Sequence, residues 1–207
     1  MISFECLQGG ELQENCYVLT DEKTGAQAVV DPGFWDSRLE AVAKSGKVAY
    51  ILLTHGHFDH IAGVEKLRET SGAPVLALGL EEPLLTDGQL NVSLAFFGQA
   101  YACRPDRTLS DGETLMLGET RITVFHTPGH TAGSCCYLTE DAIFTGDTLM
   151  GFSVGRTDLP TGDSRALSVS LKKLLEIPGD PAVCGGHGPV TTLKAEREKN
   201  PYLRFLI

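Results

Sequence analysis

No Cys-x-x-Cys pair, no long apolar run and no stretch rich in basic residues occurs in this sequence. Its six cysteines, Cys6, Cys16, Cys103, Cys135, Cys136 and Cys184, are scattered over 207 residues, a length that needs no disulfide scaffold. Set among apolar neighbours, they read as reduced, mostly buried thiols of a cytoplasmic protein, with Cys135 and Cys136 as core residues of a strand. No apolar run approaches the ~18 residues of a membrane span, so no membrane partner is expected. The segment Met1-Ile2-Ser3-Phe4-Glu5 has no basic region leading into an apolar core, and no signal peptide is expected. Lys and Arg number 17 against 27 Asp and Glu, a formal charge of 17 − 27 = −10. With no basic stripe to neutralise phosphates, nucleic acid is excluded as a partner. No linker or low-complexity segment interrupts the chain, and its length suits one domain over 1–207.

Histidine is scarce too, and its placement is informative. Three of the six histidines fall in Thr54-His55-Gly56-His57-Phe58-Asp59-His60, directly after the apolar run Tyr50-Ile51-Leu52-Leu53. Neutral imidazole nitrogens and carboxylate oxygens are the usual ligands of Zn²⁺ and similar metals. A strand ending in a turn presents His55 and His57 from alternate positions on one side. The next turn brings Asp59 and His60 round to a second point, a layout that suits two adjacent metal ions better than one. Two divalent ions would also offset four of the negative charges.

Strands and helices alternate in both halves of the chain. Cys16–Thr20 and Ala26–Val30 flank a hairpin turn, and Asp31-Pro32-Gly33 closes the second strand with turn chemistry. The spacing predicts a helix over Ser37–Ser45 capped by Asp36 or Ser37, a strand over Val48–Leu53, a helix over Ile61–Thr70 and a strand over Val75–Leu78. Residues 80–108 read as a helical or irregular excursion. Two hairpins follow, Thr114–Leu117 with Arg121–Phe125 and Cys135–Leu138 with Ala142–Thr145. An amphipathic helix over Arg165–Glu176, a strand over Ala182–Cys184 and a helical tail over Thr192–Leu206, interrupted at Pro201, complete the reading. The pattern suggests two stacked sheets covered by helices on both outer faces.

Three later segments repeat one local design, a strand followed by a glycine-containing turn and a ligand-type residue. They are Thr127-Pro128-Gly129-His130, Phe144-Thr145-Gly146-Asp147 and Cys184-Gly185-Gly186-His187. Together with the heptapeptide they use five of the six histidines; His126, inside a strand, reads as packed or as supporting a ligand. The combined motif resembles the metallo-β-lactamase superfamily, and the phrases around His130 and Asp147 look like its glyoxalase II (hydroxyacylglutathione hydrolase) branch. The resemblance implies an α/β fold, the αββα four-layer sandwich. It implies that His55, His57 and His130 hold one metal and Asp59, His60 and His187 a second, with Asp147 bridging. The cofactor is then two divalent ions, Zn with Fe or Mn as alternatives.

Two such ions ~3.5–4 Å apart share a water and lower its pKa from ~15.7 towards 7, so a hydroxide can attack an ester or thioester carbonyl. Asp59 would orient it, and no side-chain nucleophile is needed. Three departures bear on the substrate, a small molecule that could be S-lactoylglutathione; one is Ser134, where the family's Thr-Pro-Gly-His-Thr-x-Gly-His phrase has a second histidine. The family's helical C-terminal domain finds no room before Ile207, and its Gly-His-Glu-Tyr phrase is here Gly186-His187-Gly188-Pro189. Short glyoxalase II-like proteins of bacteria share the phrase Gly155-Arg156-Thr157-Asp158, and the planar fork of Arg156 suits a substrate carboxylate. Persulfide dioxygenases of the same fold carry that phrase as well, with one Fe²⁺ on two histidines and an aspartate. A lactonase is a further alternative.

Overall fold

The computed structural model describes residues 1–204 and 206. In the first half, β1 (Ile2–Gly9), β2 (Glu14–Asp21) and β3 (Gln27–Val30) run antiparallel, and α1 (Ser37–Ala43) leads into β4 (Val48–Leu53). Next come α2 (Phe58–Ile61), α3 (Val64–Ser71), β5 (Val75–Leu78), α4 (Glu82–Thr86), α5 (Ser93–Phe97) and β6 (Arg107–Leu109). Strands β3 to β6 are parallel, and the sheet order is β1-β2-β3-β4-β5-β6. The second half holds β7 (Thr114–Leu117), β8 (Thr120–His126), β9 (Cys135–Leu138), β10 (Ala142–Gly146) and the short pair β11 (Leu149–Met150) and β12 (Ser153–Val154). It continues with α6 (Ser164–Leu175), β13 (Ala182–Gly185), β14 (Thr191–Thr192) and α7 (Leu193–Lys199), giving a second sheet in the order β14-β13-β10-β9-β8-β7.

Alternation along the strands divides the core in three. Tyr17 and Leu19 of β2 face the space between the sheets, where they meet Leu52, Tyr137 and Phe144. Their neighbours Cys16 and Val18 turn the other way and pack beside Leu39 of α1 and Val64 and Leu67 of α3. In the second sheet Phe144 points inward, while Cys136, Ile143 and Val183 meet Leu167, Leu171 and Leu174 of α6. Both faces of these strands are covered, so they read as continuous apolar runs rather than alternating ones. The layers are helix, sheet, sheet and helix: the αββα sandwich of an α/β fold. Tyr17 and Phe144 meet edge to face across the central layer at 5.3 Å between ring centroids, a geometry that adds to the burial term.

Most element boundaries fall where the sequence predicts. Asp36 caps α1, accepting from the amides of Arg38 at 2.9 Å and Leu39 at 3.2 Å. Three expectations change. The helix predicted over Ile61–Thr70 begins earlier and is split into α2 and α3 at Gly63. There the Gly63 amide bonds the Pro32 carbonyl at 2.8 Å, and a Cβ at this position would lie 2.0 Å from the Phe34 carbonyl oxygen. Within 80–108, α4 and α5 are followed by a strand, β6, that pairs with β5; three residues are too few to show a period. The tail helix stops at Lys199, before Asn200 and Pro201, since the residue preceding proline is pushed out of the α region. Residue 205, within the expected tail helix, and residue 207, which with it falls in the expected domain over 1–207, lie outside the described residues.

Candidate metal centre

The C-terminal ends of β4, β8, β10 and β13 lead to one place. His55 follows β4, His57 caps α2, and Asp59 and His60 lie within α2. His130 follows β8, Asp147 follows β10, and His187 follows β13. In space they form two groups, His55 with His57 and His130, and Asp59 with His60 and His187. Each residue of a group offers one ligand atom within 4.8 Å of the others. Asp147 stands between the groups. Its Oδ1 is 3.4 Å from His60 Nε2 and 3.9 Å from His187 Nε2, and its Oδ2 is 3.6 Å from His130 Nε2. Gly146 makes that placement achievable: its φ is +47°, and a Cβ there would sit 2.1 Å from Thr54 Oγ1.

Hydrogen bonds fix which nitrogen of each ring is free. The Thr54 hydroxyl donates to Asp31 Oδ2 at 2.5 Å, so its remaining interaction, 3.1 Å to His55 Nδ1, receives the proton of that ring. His60 Nδ1 donates to Asp31 at 3.0 Å, and His130 Nδ1 donates to the Arg156 carbonyl at 2.7 Å. In their neutral forms the Nε2 atoms of these three rings therefore carry lone pairs directed into the cluster. His57 Nδ1 and His130 Nε2 face each other at 2.8 Å. Among the described residues, His55 Nε2, His57 Nε2, His60 Nε2 and Asp147 Oδ1 are buried with no hydrogen-bond partner. Each such group ordinarily costs ~1–3 kcal/mol, and four in one place fit cation ligands and little else. Asp31 also lies within ligand distance of His55 and His60, but its oxygens are taken up by Thr54 and His60.

A cleft leads to the cluster. Leu12, Phe58, Val92, Phe96 and Leu159 line it, together with Arg156 and the half-buried His187. The exposed Arg156 side chain forms a bidentate pair with Asp158 at 2.7 and 2.8 Å, so its fork is already engaged at the mouth. His126 stands outside the cluster, its Nε2 2.9 Å from the Ala132 carbonyl in the loop that follows His130.

A profile described as the metallo-beta-lactamase superfamily matches residues 9–187. The chain belongs to that superfamily. It is similar to hydroxyacylglutathione hydrolase GloC of Haemophilus influenzae, 32% identical over 98% of each chain. The crystal structure of BLEG-1 B3 metallo-beta-lactamase has a TM-score of 0.90 and 37% identity, covering 98% of this chain and 100% of that one. The di-iron-bound form of TTHA1623 has a TM-score of 0.84 and 36% identity over 96% and 100%. Among the described residues no helix is long and apolar enough to cross a membrane.

Within this superfamily site the charges are strongly coupled. Burial, then the neighbouring His60 and His130, hold the His55 imidazolium unfavourable and its pKa well below the usual range. Burial also opposes protonation of His60, but Asp59 and Asp147 outweigh it and raise its pKa well above the usual value. Burial likewise pushes Asp147 up, yet His60 and His130 overcome it and keep the carboxylate ionised. Three supporting residues were not singled out from the sequence. Asp31 orients His60 and, through Thr54, His55; it shares with Asp147 the signal of a carboxylate at a strand end, and was read as a turn residue. Glu81 accepts from the Gly56 amide at 2.8 Å, the Thr131 hydroxyl at 3.0 Å and the Gly133 amide at 2.9 Å, tying together the loops that carry His55, His57 and His130. Nothing in its sequence context marks it. Asn15 bonds the Gly185 and Gly188 carbonyls at 3.0 and 2.8 Å, fixing the turn that bears His187.

Proposed function

We propose that this chain is a metal-dependent hydrolase of thioesters or related esters, S-lactoylglutathione among them, working with two divalent cations. The observation that carries the proposal is Asp147, whose two oxygens face the two groups of three ligand residues. His55, His57 and His130 would hold one cation and Asp59, His60 and His187 the other. When bound, the pair supplies Lewis acidity to a carbonyl oxygen and brings the pKa of water from ~15.7 towards 7. The imidazole and carboxylate donor set suits zinc, and the di-iron form of a 36% identical structure makes iron the first alternative, with manganese behind it.

The residues around the cluster do the rest. Asp59 Oδ2 lies 3.2 Å from His187 Nε2 and faces the cleft, where it accepts a hydrogen bond from the attacking water and orients it. Asp31 holds the protonated nitrogens of His55 and His60 away from the reacting atoms. Phe58, Val92, Phe96 and Leu159 exclude bulk water, which strengthens every charge interaction inside. Arg156 meets a substrate carboxylate at the mouth once it is released from Asp158. The full-length similarity to GloC supports a thioester substrate.

The test is elemental analysis together with hydrolysis of S-lactoylglutathione on the same sample. About two metals per chain with turnover is the expected result. One iron per chain, with oxygen uptake on glutathione persulfide and no hydrolysis, would replace this reading with a dioxygenase. Asp147→Ala is expected to lose both activity and metal, and full activity in that variant would remove the bridging role.

A further inference from the structure

The cleft before the metal centre has a side arm. The arm, about 190 Å³ in volume, shares Leu12, Phe58 and Asp59 with the main cleft and is lined further by Phe34, Phe97 and Tyr101. Aromatic contacts build its walls. Phe58 meets Phe96 at 4.9 Å and Phe97 at 5.0 Å between ring centroids, and Phe97 meets Tyr101 edge to face at 5.7 Å. Its lining includes three acidic side chains, Glu11, Glu14 and Asp59, and no basic one. Glu14 is only 1% exposed, and both its oxygens lack a hydrogen-bond partner. An anionic group finds no basic partner in that lining, whereas a neutral apolar one gains from the aromatic walls. The cation of the cleft, Arg156, lines only the main branch.

We propose that this arm is the acyl subsite, taking a neutral apolar chain or ring. The inference rests on the hydrolase reading and adds the substrate class to it. A thioester whose thiol half carries carboxylates then has one orientation. The charged half lies towards Arg156, the carbonyl beside Asp59, and the acyl chain in the arm. A small acyl group such as acetyl leaves the arm to water, so it forfeits the apolar contacts that raise kcat/KM.

Two measurements on the metal-loaded chain test this. The first is the ratio of kcat/KM for S-hexanoylglutathione to that for S-acetylglutathione, in the wild type and in Ala62→Phe, which narrows the arm at a position outside the main cleft. A wild-type ratio of at least tenfold that collapses in the variant is the expected result. Equal rates for the two thioesters, in a protein that hydrolyses both, would overturn the subsite and leave the hydrolase reading standing. The second is calorimetric binding of the unreactive thioethers S-hexylglutathione and S-methylglutathione to wild type, expected to differ at least tenfold in Kd. If that difference appears without hydrolysis of either thioester, the subsite stands and the hydrolase reading falls. Equal Kd values would overturn the subsite whether or not Ala62→Phe folds.

Discussion

Asp31 acts on two ligand residues at once. Its Oδ2 meets both the Thr54 hydroxyl and His60 Nδ1, so one carboxylate sets the tautomers of His55 and His60. Asparagine keeps the shape but offers a single acceptor oxygen and a competing amide donor. Asp31→Asn is therefore expected to weaken binding of the cation held by Asp59, His60 and His187 by roughly 10–100-fold; chelator competition with Zn²⁺ reads this, and two tight sites in the variant would refute the orienting role. Glu81 titrates in a useful range. Burial raises its pKa from the ordinary 4.5 to about 7, against three hydrogen bonds that favour the anion. A folded-state pKa above the unfolded one contributes stability that is complete below pH 4.5 and is lost as pH rises through about 7. A shift of that size corresponds to about 3 kcal/mol. Urea unfolding of the metal-free protein at acid and mildly alkaline pH should show this fall in the wild type and not in Glu81→Gln. Parallel pH curves would count against it.

At the scale of elements, close approaches decide where helices stop. Gly63 touches the backbone at Phe34, so Gly63→Ala is expected to cost roughly 1–3 kcal/mol by overpacking and to displace α2 with Asp59 and His60. Unfolding midpoints and metal affinity should both drop, and a variant as stable as the wild type would mean the contact yields easily. The same contact explains what sequence reasoning could and could not see. The apolar runs at Val48–Leu53 and Val75–Leu78 announce buried strands, and Asp36 announces a cap, because these signals are local. The break at Gly63 depends on a loop some thirty positions upstream in the chain, and β6 on pairing with β5, so neither has a local signature. The candidate metal ligands are legible because imidazoles at strand ends are few and chemically distinctive. Glu81 and Asp31 are ordinary carboxylates, defined only by the partners that the fold brings to them.

For the whole molecule, the metal centre joins the two halves. Four of its side chains come from the first half and three, His130, Asp147 and His187, from the second. Removing the cations with a chelator should therefore destabilise the entire sandwich. With each cation present at a thousand times its Kd, each site contributes ~4 kcal/mol and the two together ~8 kcal/mol, and Tm is expected to fall by at least ~15 °C; an unchanged Tm would mean the halves hold together without the metal. Charge acts at the same scale. With two divalent cations the formal charge is −10 + 4 = −6, so kcat/KM for an anionic thioester should rise between low salt and ~0.3 M as repulsion is screened. The spread of the ligands has a consequence for biosynthesis. His55 and His187 are 187 − 55 = 132 positions apart, so a nascent chain that has emerged only as far as β8 offers no completed pair of coordination sites. The group of His55, His57 and His130 can be completed once His130 has emerged, whereas the group of Asp59, His60 and His187 awaits His187, so the two sites of the proposed pair become available at different stages of translation.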